Sequence, residues 1–318
     1  MKKIVITRKI NPNMIEKLKK DFEVVVWNED EQPMPRERFL EETKDAHGVM
    51  TMLSDKVDRE MLENAEKLKV VANLAVGFDN IDLEAARANE VVITNTPDVL
   101  TETTAELAFT LMLTAARRVL EANRELMAGE WSGWSPYHMA GTDVFGKTVG
   151  IFGMGSIGTA FARRLSGFRA KVLYHNRSRS EVGESMGAEL VSFEDLLAES
   201  DFVLCAAPLT GETKHRFDKE AFSQMKESAY FINIGRGAHV VEDDLAEAVR
   251  NGDIKGAALD VFENEPIGRD HPFIGIDNMT LLPHIGSASV DTRNNMMNLC
   301  VNNIMEVLNG GNPITPVQ

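Results

Sequence analysis

The chain has 318 residues, 43% hydrophobic and 26% charged, which supports sizeable buried cores and, at this length, two domains. Its formal net charge of −15 argues against nucleic acid or an anionic membrane surface as a main partner, because both call for a basic footprint, while leaving room for a local site that binds a small anion. No apolar run reaches the roughly 18 residues of a membrane helix, and the opening Met1-Lys2-Lys3-Ile4-Val5-Ile6 breaks at Thr7-Arg8-Lys9, too early for a signal-peptide core of about 7–15 residues; a cytoplasmic protein is expected.

In chain order, Ile4 to Ile6 reads as a buried strand, Met14 to Lys20 as helix and Val24 to Trp27 as strand. Arg36 to Thr43 is predicted helical, Gly48 to Met52 a strand, Asp58 to Ala65 a helix, Leu68 to Val76 a strand-type apolar run, Asp82 to Ala88 a helix and Val91 to Ile93 a strand. Strands apolar throughout, alternating with helices, indicate a parallel sheet covered on both faces. From Thr101 to Met127 the spacing predicts one long helix, followed by a Gly/Trp/Pro loop from Gly129 to Gly146 that holds Trp131, Trp134, Pro136 and Tyr137. A second series follows, with strands predicted at Thr148–Phe152, Lys171–His175, Asp201–Ala206, Tyr230–Ile234, Gly256–Val261 and Met279–Leu282. The chain ends on a helix from Val290 to Leu308 whose apolar face is Met297, Cys300, Val301, Ile304, Val307 and Leu308. Its two cysteines, Cys205 and Cys300, lie in apolar stretches and read as buried free thiols. The fold expected is α/β with two doubly wound parallel-sheet domains: residues 100–287 form one, inserted in a second built from 1–99 and 288–318.

The segment Gly153-Met154-Gly155-Ser156-Ile157-Gly158 carries the first chemical signal. Alone, GxGxxG is weak evidence. Here it directly follows the strand Lys147 to Phe152 and opens the helix Ile157 to Leu165, the context a dinucleotide-binding loop requires. Gly153 suits the tight turn, Gly155 lets backbone approach a pyrophosphate, and Gly158 allows close helix–strand packing, while the helix N-terminus offers amides and a positive dipole end to phosphate. The next strand would end in an acid if NAD were preferred, to hold the ribose 2′-hydroxyl; it ends instead in Asn176-Arg177-Ser178-Arg179. Without a carboxylate, a 2′-phosphate is not repelled and two guanidiniums can bind it, so NADP(H) is expected ahead of NAD(H); the alternative is that these are solvated loop arginines.

Three later strands end in residues suited to chemistry. Phe231-Ile232-Asn233-Ile234-Gly235-Arg236-Gly237 ends in an arginine whose planar fork suits a 2-keto carboxylate. Leu259-Asp260-Val261-Phe262-Glu263-Asn264-Glu265-Pro266 ends in carboxylates, and Leu282-Pro283-His284-Ile285-Gly286 in a histidine. Singly, each has a plain structural explanation: an ion pair, a solvated turn, a core histidine. Strands of one parallel sheet place them at one edge, where a histidine kept protonated by a carboxylate, beside an arginine, suffices to reduce a carbonyl. The remaining histidines show no zinc-like spacing, and no metal site is expected.

These motifs, with Val76-Gly77-Phe78-Asp79-Asn80-Ile81-Asp82, Thr96-Pro97-Asp98-Val99-Leu100, Thr103-Thr104-Ala105-Glu106 and Pro283 to Ala288, resemble the D-isomer-specific 2-hydroxyacid dehydrogenases over nearly the whole chain, and most their glyoxylate/hydroxypyruvate reductase branch. The resemblance implies a Rossmann NAD(P)-binding domain inserted in a flavodoxin-like substrate domain. It implies that His284 is the proton donor, that Glu265 hydrogen-bonds it, and that Arg236 binds the substrate's carboxylate and carbonyl oxygen. The amides of Val76 and Gly77 would hold the carboxylate, Arg293 would line the pocket, and Trp134 would reach toward the other subunit's site in a homodimer. Asp260 would meet the nicotinamide carboxamide, Ala207-Pro208 would line the nucleotide cleft, and Thr104, Ser156, Ile157, Thr213, Ile234, Gly235, His284 and Gly286 complete the implied cofactor contacts. Gly235 departs from the family's usual small hydroxyl or alanine residue before the arginine. Two other readings share the fold: a short-type 3-phosphoglycerate dehydrogenase, which would want further basic residues for the phosphate, and a nucleotide-sensing corepressor-like binding protein, whose long tails are absent here.

Overall fold

The computed structural model describes residues 1–317. Two compact units divide the chain, Met1–Leu100 with Ala288–Gln318, and Thr101–Ser287. In the first, strands β1 (Lys3–Ile6), β2 (Glu23–Val26), β3 (Gly48–Thr51), β4 (Val70–Asn73) and β5 (Val92–Thr94) alternate with helices α1 (Pro12–Leu18), α2 (Arg36–Thr43), α3 (Arg59–Asn64) and α4 (Leu83–Ala88). The sheet is wholly parallel in the order β2-β1-β3-β4-β5, the flavodoxin-like arrangement. β3 and β4 are buried at every position, which is why they carry no polar alternation. The acids expected to open two helices do so as caps: Asp58 accepts from the amide of Met61 at 3.1 Å and Asp82 from that of Ala85 at 2.8 Å.

The second unit starts with a departure from the sequence expectation. In place of one helix to Met127 there are α5 (Thr101–Ala116) and α6 (Val119–Ala128), separated at Arg118, whose φ of 52° is left-handed and cannot continue a right-handed helix. α5 buries seven residues against the sheet, whereas α6 buries none, so the chain turns where the core stops holding it. Beyond lie β6 (Thr148–Phe152), α7 (Ser156–Leu165), β7 (Lys171–His175), α8 (Glu181–Ser185), β8 (Glu189–Leu190), α9 (Phe193–Glu199), β9 (Phe202–Cys205), α10 (Lys219–Ser223), β10 (Tyr230–Asn233), α11 (Glu242–Asn251), β11 (Gly256–Leu259) and β12 (Met279–Leu281). They form a parallel seven-stranded sheet ordered β12-β11-β10-β9-β6-β7-β8, whose strand order reverses between β6 and β9. α8 and α10 span five residues each, too few for helical periodicity to register in the sequence. α11 is readable in retrospect from buried Leu245, Ala246, Ala248 and Val249.

The last helix, α12 (Val290–Leu308), returns to the first unit and packs on β3 and β4. Cys300, Val301, Ile304 and Leu308 are buried as expected, but Met296 rather than Met297 fills the face near its start. Cys205 and Cys300 are buried free thiols. No helix among the described residues is long and apolar enough to cross a membrane.

Behind α12 the final residues are tied down by one side chain. Asn303, fully buried, accepts from the amides of Ile314 and Thr315 at 2.8 and 3.1 Å and donates to the Thr315 hydroxyl at 2.9 Å. This holds the tail along the edge of β5, where the Val317 amide donates to the Ile93 carbonyl at 2.8 Å. Asn303→Leu should remove both acceptor contacts of these amides and the bond to the Thr315 hydroxyl at a cost of about 1 kcal/mol, read as a lower melting temperature and faster proteolysis within the last residues.

Candidate active site

Every strand of the second unit's sheet runs the same way, so the loops after β6, β7, β9, β10, β11 and β12 all leave from one edge. The glycine loop follows β6. Gly153 takes φ of 102° at the turn, and a Cβ on Gly158 would overlap the Gly153 carbonyl oxygen, so α7 can start this close to β6 only with glycine there. α7 has no side-chain cap, and the amides of Ser156, Ile157 and Gly158 find no acceptor among the described residues. Nothing lies within 4 Å of where a Gly155 Cβ would stand. An uncapped ten-residue helix behind an open glycine fits a pyrophosphate.

The residues around this loop differ in what they are free to do. The Asn176 side-chain oxygen accepts from the Met154 amide at 2.9 Å, bracing the glycine loop and leaving only its NH₂ for a ribose. Arg177 and Ser178 are exposed; Arg179 lies 3.5 Å from Glu184, which offsets part of its charge. Thr213 donates to the Pro208 carbonyl at 2.8 Å, closing the loop that follows β9. The backbone of Ala207 in that loop packs against both Gly153 and Gly235, joining the glycine loop to the arginine loop.

After β10, Asn233 organises the turn that presents Arg236. Its side-chain oxygen accepts from the Gly235 amide at 3.0 Å and its NH₂ donates to the Arg236 carbonyl at 2.9 Å. The guanidinium donates to the Gly235 carbonyl at 2.9 Å. Gly237 then meets the loop after β11 so closely that a Cβ would coincide with the peptide between Phe262 and Glu263. Neither Asn233 nor Gly237 was assigned a role from the sequence, although both sit in the quoted motif; an asparagine and a glycine at a strand end are the usual turn formers.

That loop delivers Glu265. One carboxylate oxygen accepts from the Phe262 amide at 2.9 Å, and the other lies 2.7 Å from His284 Nδ1. Burial alone would push Glu265 up, but the hydrogen bond and charge of His284, the Phe262 amide and the charge of Arg236 outweigh it and hold the carboxyl below its ordinary 4.5. Glu265 is therefore a carboxylate that accepts, which fixes the proton on His284 Nδ1 and aims Nε2 away, with no partner among the described residues. His284 has φ of 53°, a left-handed conformation unfavourable by about 1–2 kcal/mol for a residue with a side chain. Asp260 holds it there. Its backbone carbonyl accepts from the His284 amide at 2.9 Å, and its two carboxylate oxygens accept from Ile285 and Gly286 at 2.8 and 2.7 Å. Asp260, expected from the sequence to meet a carboxamide, thus has a backbone role that the sequence did not reveal. Burial pushes Asp260 up to about 6 despite those amides and the nearby His284. Thr104 of α5 lies beside Gly286, near Asp260.

The other expected site residues lie apart in the chain. Val76 and Gly77 follow β4 and Arg293 lies near the start of α12, all in the first unit, while Trp134, 82% exposed, is on the loop after α6. No group of three or more His, Cys, Asp or Glu among the described residues is placed to hold a metal ion.

The depressed Glu265 gives a signed expectation. An acid lowered on folding stabilises the protein above its unfolded value and loses that contribution as pH falls through the folded one. Wild type should therefore melt above Glu265→Gln at pH 5–6, with the gap closing as pH drops below 4.5 in a thermal-shift series. A gap that stays constant down to pH 3 would contradict the assignment.

Comparison with known proteins agrees with this geometry. Residues 109–286 match the family model for the D-isomer specific 2-hydroxyacid dehydrogenase NAD binding domain. The glyoxylate reductases of Thermococcus onnurineus and Pyrococcus horikoshii are each 47% identical over 320 aligned residues, covering 99% of this chain and 95% of theirs. Among solved structures, a Thermus thermophilus protein superposes with TM-score 0.94 at 38% identity, covering 99% of this chain and 100% of its own. The NADPH-dependent glyoxylate/hydroxypyruvate reductase of Sinorhizobium meliloti, in complex with NADP and malonate, superposes with TM-score 0.87 at 35% identity, covering 99% and 96%. With its glycine loop, Arg236, Glu265 and His284 on one sheet edge, the chain belongs to the D-isomer specific 2-hydroxyacid dehydrogenase family.

Proposed function

We propose that this protein reduces small 2-keto acids, glyoxylate and hydroxypyruvate, to the 2-hydroxy acids, the D-isomer where the product is chiral, with NADPH preferred over NADH. The observation that carries this is the His284–Glu265 pair, with Nδ1 engaged by a carboxylate and Nε2 left for a substrate oxygen. Bound reduced nicotinamide supplies the hydride to the carbonyl carbon. His284 gives the Nε2 proton to the carbonyl oxygen, and Glu265 stabilises the imidazolium before transfer and holds the ring in place afterwards. Arg236, oriented by Asn233, takes the substrate's carboxylate and carbonyl oxygen through its planar fork. The family resemblance further assigns a carboxylate contact to the amides of Val76 and Gly77 in the first unit, and a substrate contact to Arg293 of that unit. Relatives named as glyoxylate reductases support the substrate class. The end of β7, Asn176-Arg177-Ser178-Arg179 with no acid, supports the 2′-phosphate, as does the solved relative holding NADP.

We further infer a homodimer. Trp131, Trp134, Tyr137 and Met127 stand exposed on α6 and the loop after it, 54%, 82%, 88% and 79% accessible, a set of large apolar side chains that a second copy would cover. Light scattering should give about twice the 35.3 kDa of the chain, and Trp134→Ser with Tyr137→Ser should shift it toward the monomer.

Turnover with a panel of 2-keto acids, run in parallel with NADPH and NADH, tests the activity. Arg236→Ala should raise KM for the keto acid and lower kcat, and His284→Ala should cut kcat by about 10²–10⁴-fold, the usual contribution of a general acid. An active His284→Ala enzyme would remove the proposed donor, and equal efficiency with NADH would remove the cofactor preference.

A further inference from the structure

The loop after β4 is built so that successive amides face one way, and the side chain that does this is Asn95. Three consecutive peptide groups are held by their carbonyls. The Ala75 carbonyl accepts from the Thr96 amide at 2.8 Å, the Val76 carbonyl from Asn95 Nδ2 at 2.8 Å, and the Gly77 carbonyl from Asn73 Nδ2 at 2.9 Å. In a trans peptide the N–H points opposite to the carbonyl of the same plane. Fixing the Ala75 and Val76 carbonyls on the Asn95–Thr96 segment therefore turns the amides of Val76 and Gly77 away from it together. Two neighbouring amides on one side form an anion-binding concavity. Those amides, and that of Phe78, find no acceptor among the described residues, and Val76 and Gly77 are only half-buried.

The supports are themselves anchored. Asn73, fully buried at the end of β4, accepts from the Thr51 hydroxyl at 3.0 Å and donates weakly to Asn80 at 3.2 Å. Asn80 in turn donates to the carbonyls of Met52 and Asp55 at 3.2 and 2.9 Å. Asn95 is fixed at its backbone by Thr315, whose carbonyl accepts from the Asn95 amide at 3.3 Å and whose hydroxyl donates to the Asn95 carbonyl at 2.7 Å. Its side-chain NH₂ is thus the one group of that residue aimed at the loop.

We infer that Asn95, supported by Asn73, is a positioning residue for substrate recognition: it orients the Val76 and Gly77 amides toward the carboxylate of the 2-keto acid. This rests on the proposed binding of that carboxylate by Val76 and Gly77. Flipping or loosening the Val76–Gly77 plane would weaken carboxylate binding without touching the proton donor or the nucleotide loop.

The test uses the full-length protein with NADPH present and oxamate, a carboxylate-bearing mimic of glyoxylate, as the probe. In wild type, oxamate should shift the ¹⁵N–¹H resonances of Val76 and Gly77. Asn95→Ala, and Asn95→Asp as the isosteric variant lacking the donor, should raise the keto-acid KM and the oxamate midpoint about tenfold, the equivalent of one hydrogen bond. KM for NADPH should stay within about twofold and the melting temperature near wild type, as one half-buried side chain warrants. Asn89→Ala, which removes another asparagine-to-carbonyl bond of the same unit, should leave KM unchanged. If wild-type amides do not respond to oxamate, the carboxylate reading fails and takes the inference with it. If they respond and both Asn95 variants keep wild-type KM and midpoint, the inference alone is overturned.

Discussion

Parallel pairing of seven strands imposes a polarity on which the rest of the second unit depends. Because β6, β9, β10, β11 and β12 all run one way, their following loops emerge at one edge, and residues far apart in sequence are delivered to one place. Distance along the sheet is then bridged by backbone contact. Ala207 touches the glycine and arginine loops, Gly237 lies against the Phe262–Glu263 peptide, and the Phe262 amide holds the carboxylate that holds His284. A side chain at Gly153 or Gly237 would overlap backbone of the neighbouring loop, so these two contacts exist only because glycine stands there.

Two carboxylates of that edge are driven in opposite directions by their surroundings. Both are desolvated, but Glu265 faces a histidine and an amide and remains an acceptor, whereas Asp260 is pushed upward by a deeper burial that two amides only partly offset. The division of labour follows from this. Glu265 acts on the imidazole ring itself. Asp260 acts on the backbone that carries it, gripping Ile285 and Gly286 so that His284 stays in its left-handed conformation. A strained residue at the centre of a site, fixed from both sides, is the pattern expected where position matters more than local stability.

Much of this was legible in the residue string. Strands buried on both faces announce themselves as unbroken apolar runs, and those of both sheets were located to within a few residues, except for the two-residue β8. The GxGxxG spacing between a strand and a helix, and the absence of an acid after β7, needed no coordinates. The break at Arg118 was not legible, because the residue pattern continues while the core beneath it ends. Nor was the choice of Met296 over Met297, which depends on how α12 is rotated against β3 and β4.

What the sequence determined by itself is therefore the kind and order of the long apolar strands and the helices between those of the first sheet, and the chemical types waiting at the strand ends: local periodicity and turn chemistry are properties of neighbours in the chain. What only the tertiary structure decided is which polar atom meets which. Asn233, Asn73 and Asn95 are ordinary letters until their amides are seen on particular carbonyls, and the hold of Asp260 on the amides after His284 shows only once its oxygens are placed. A hydrogen bond is decided within about 3 Å of space, and the partners that set this site are brought to that distance by the sheet, not by the order of the residues.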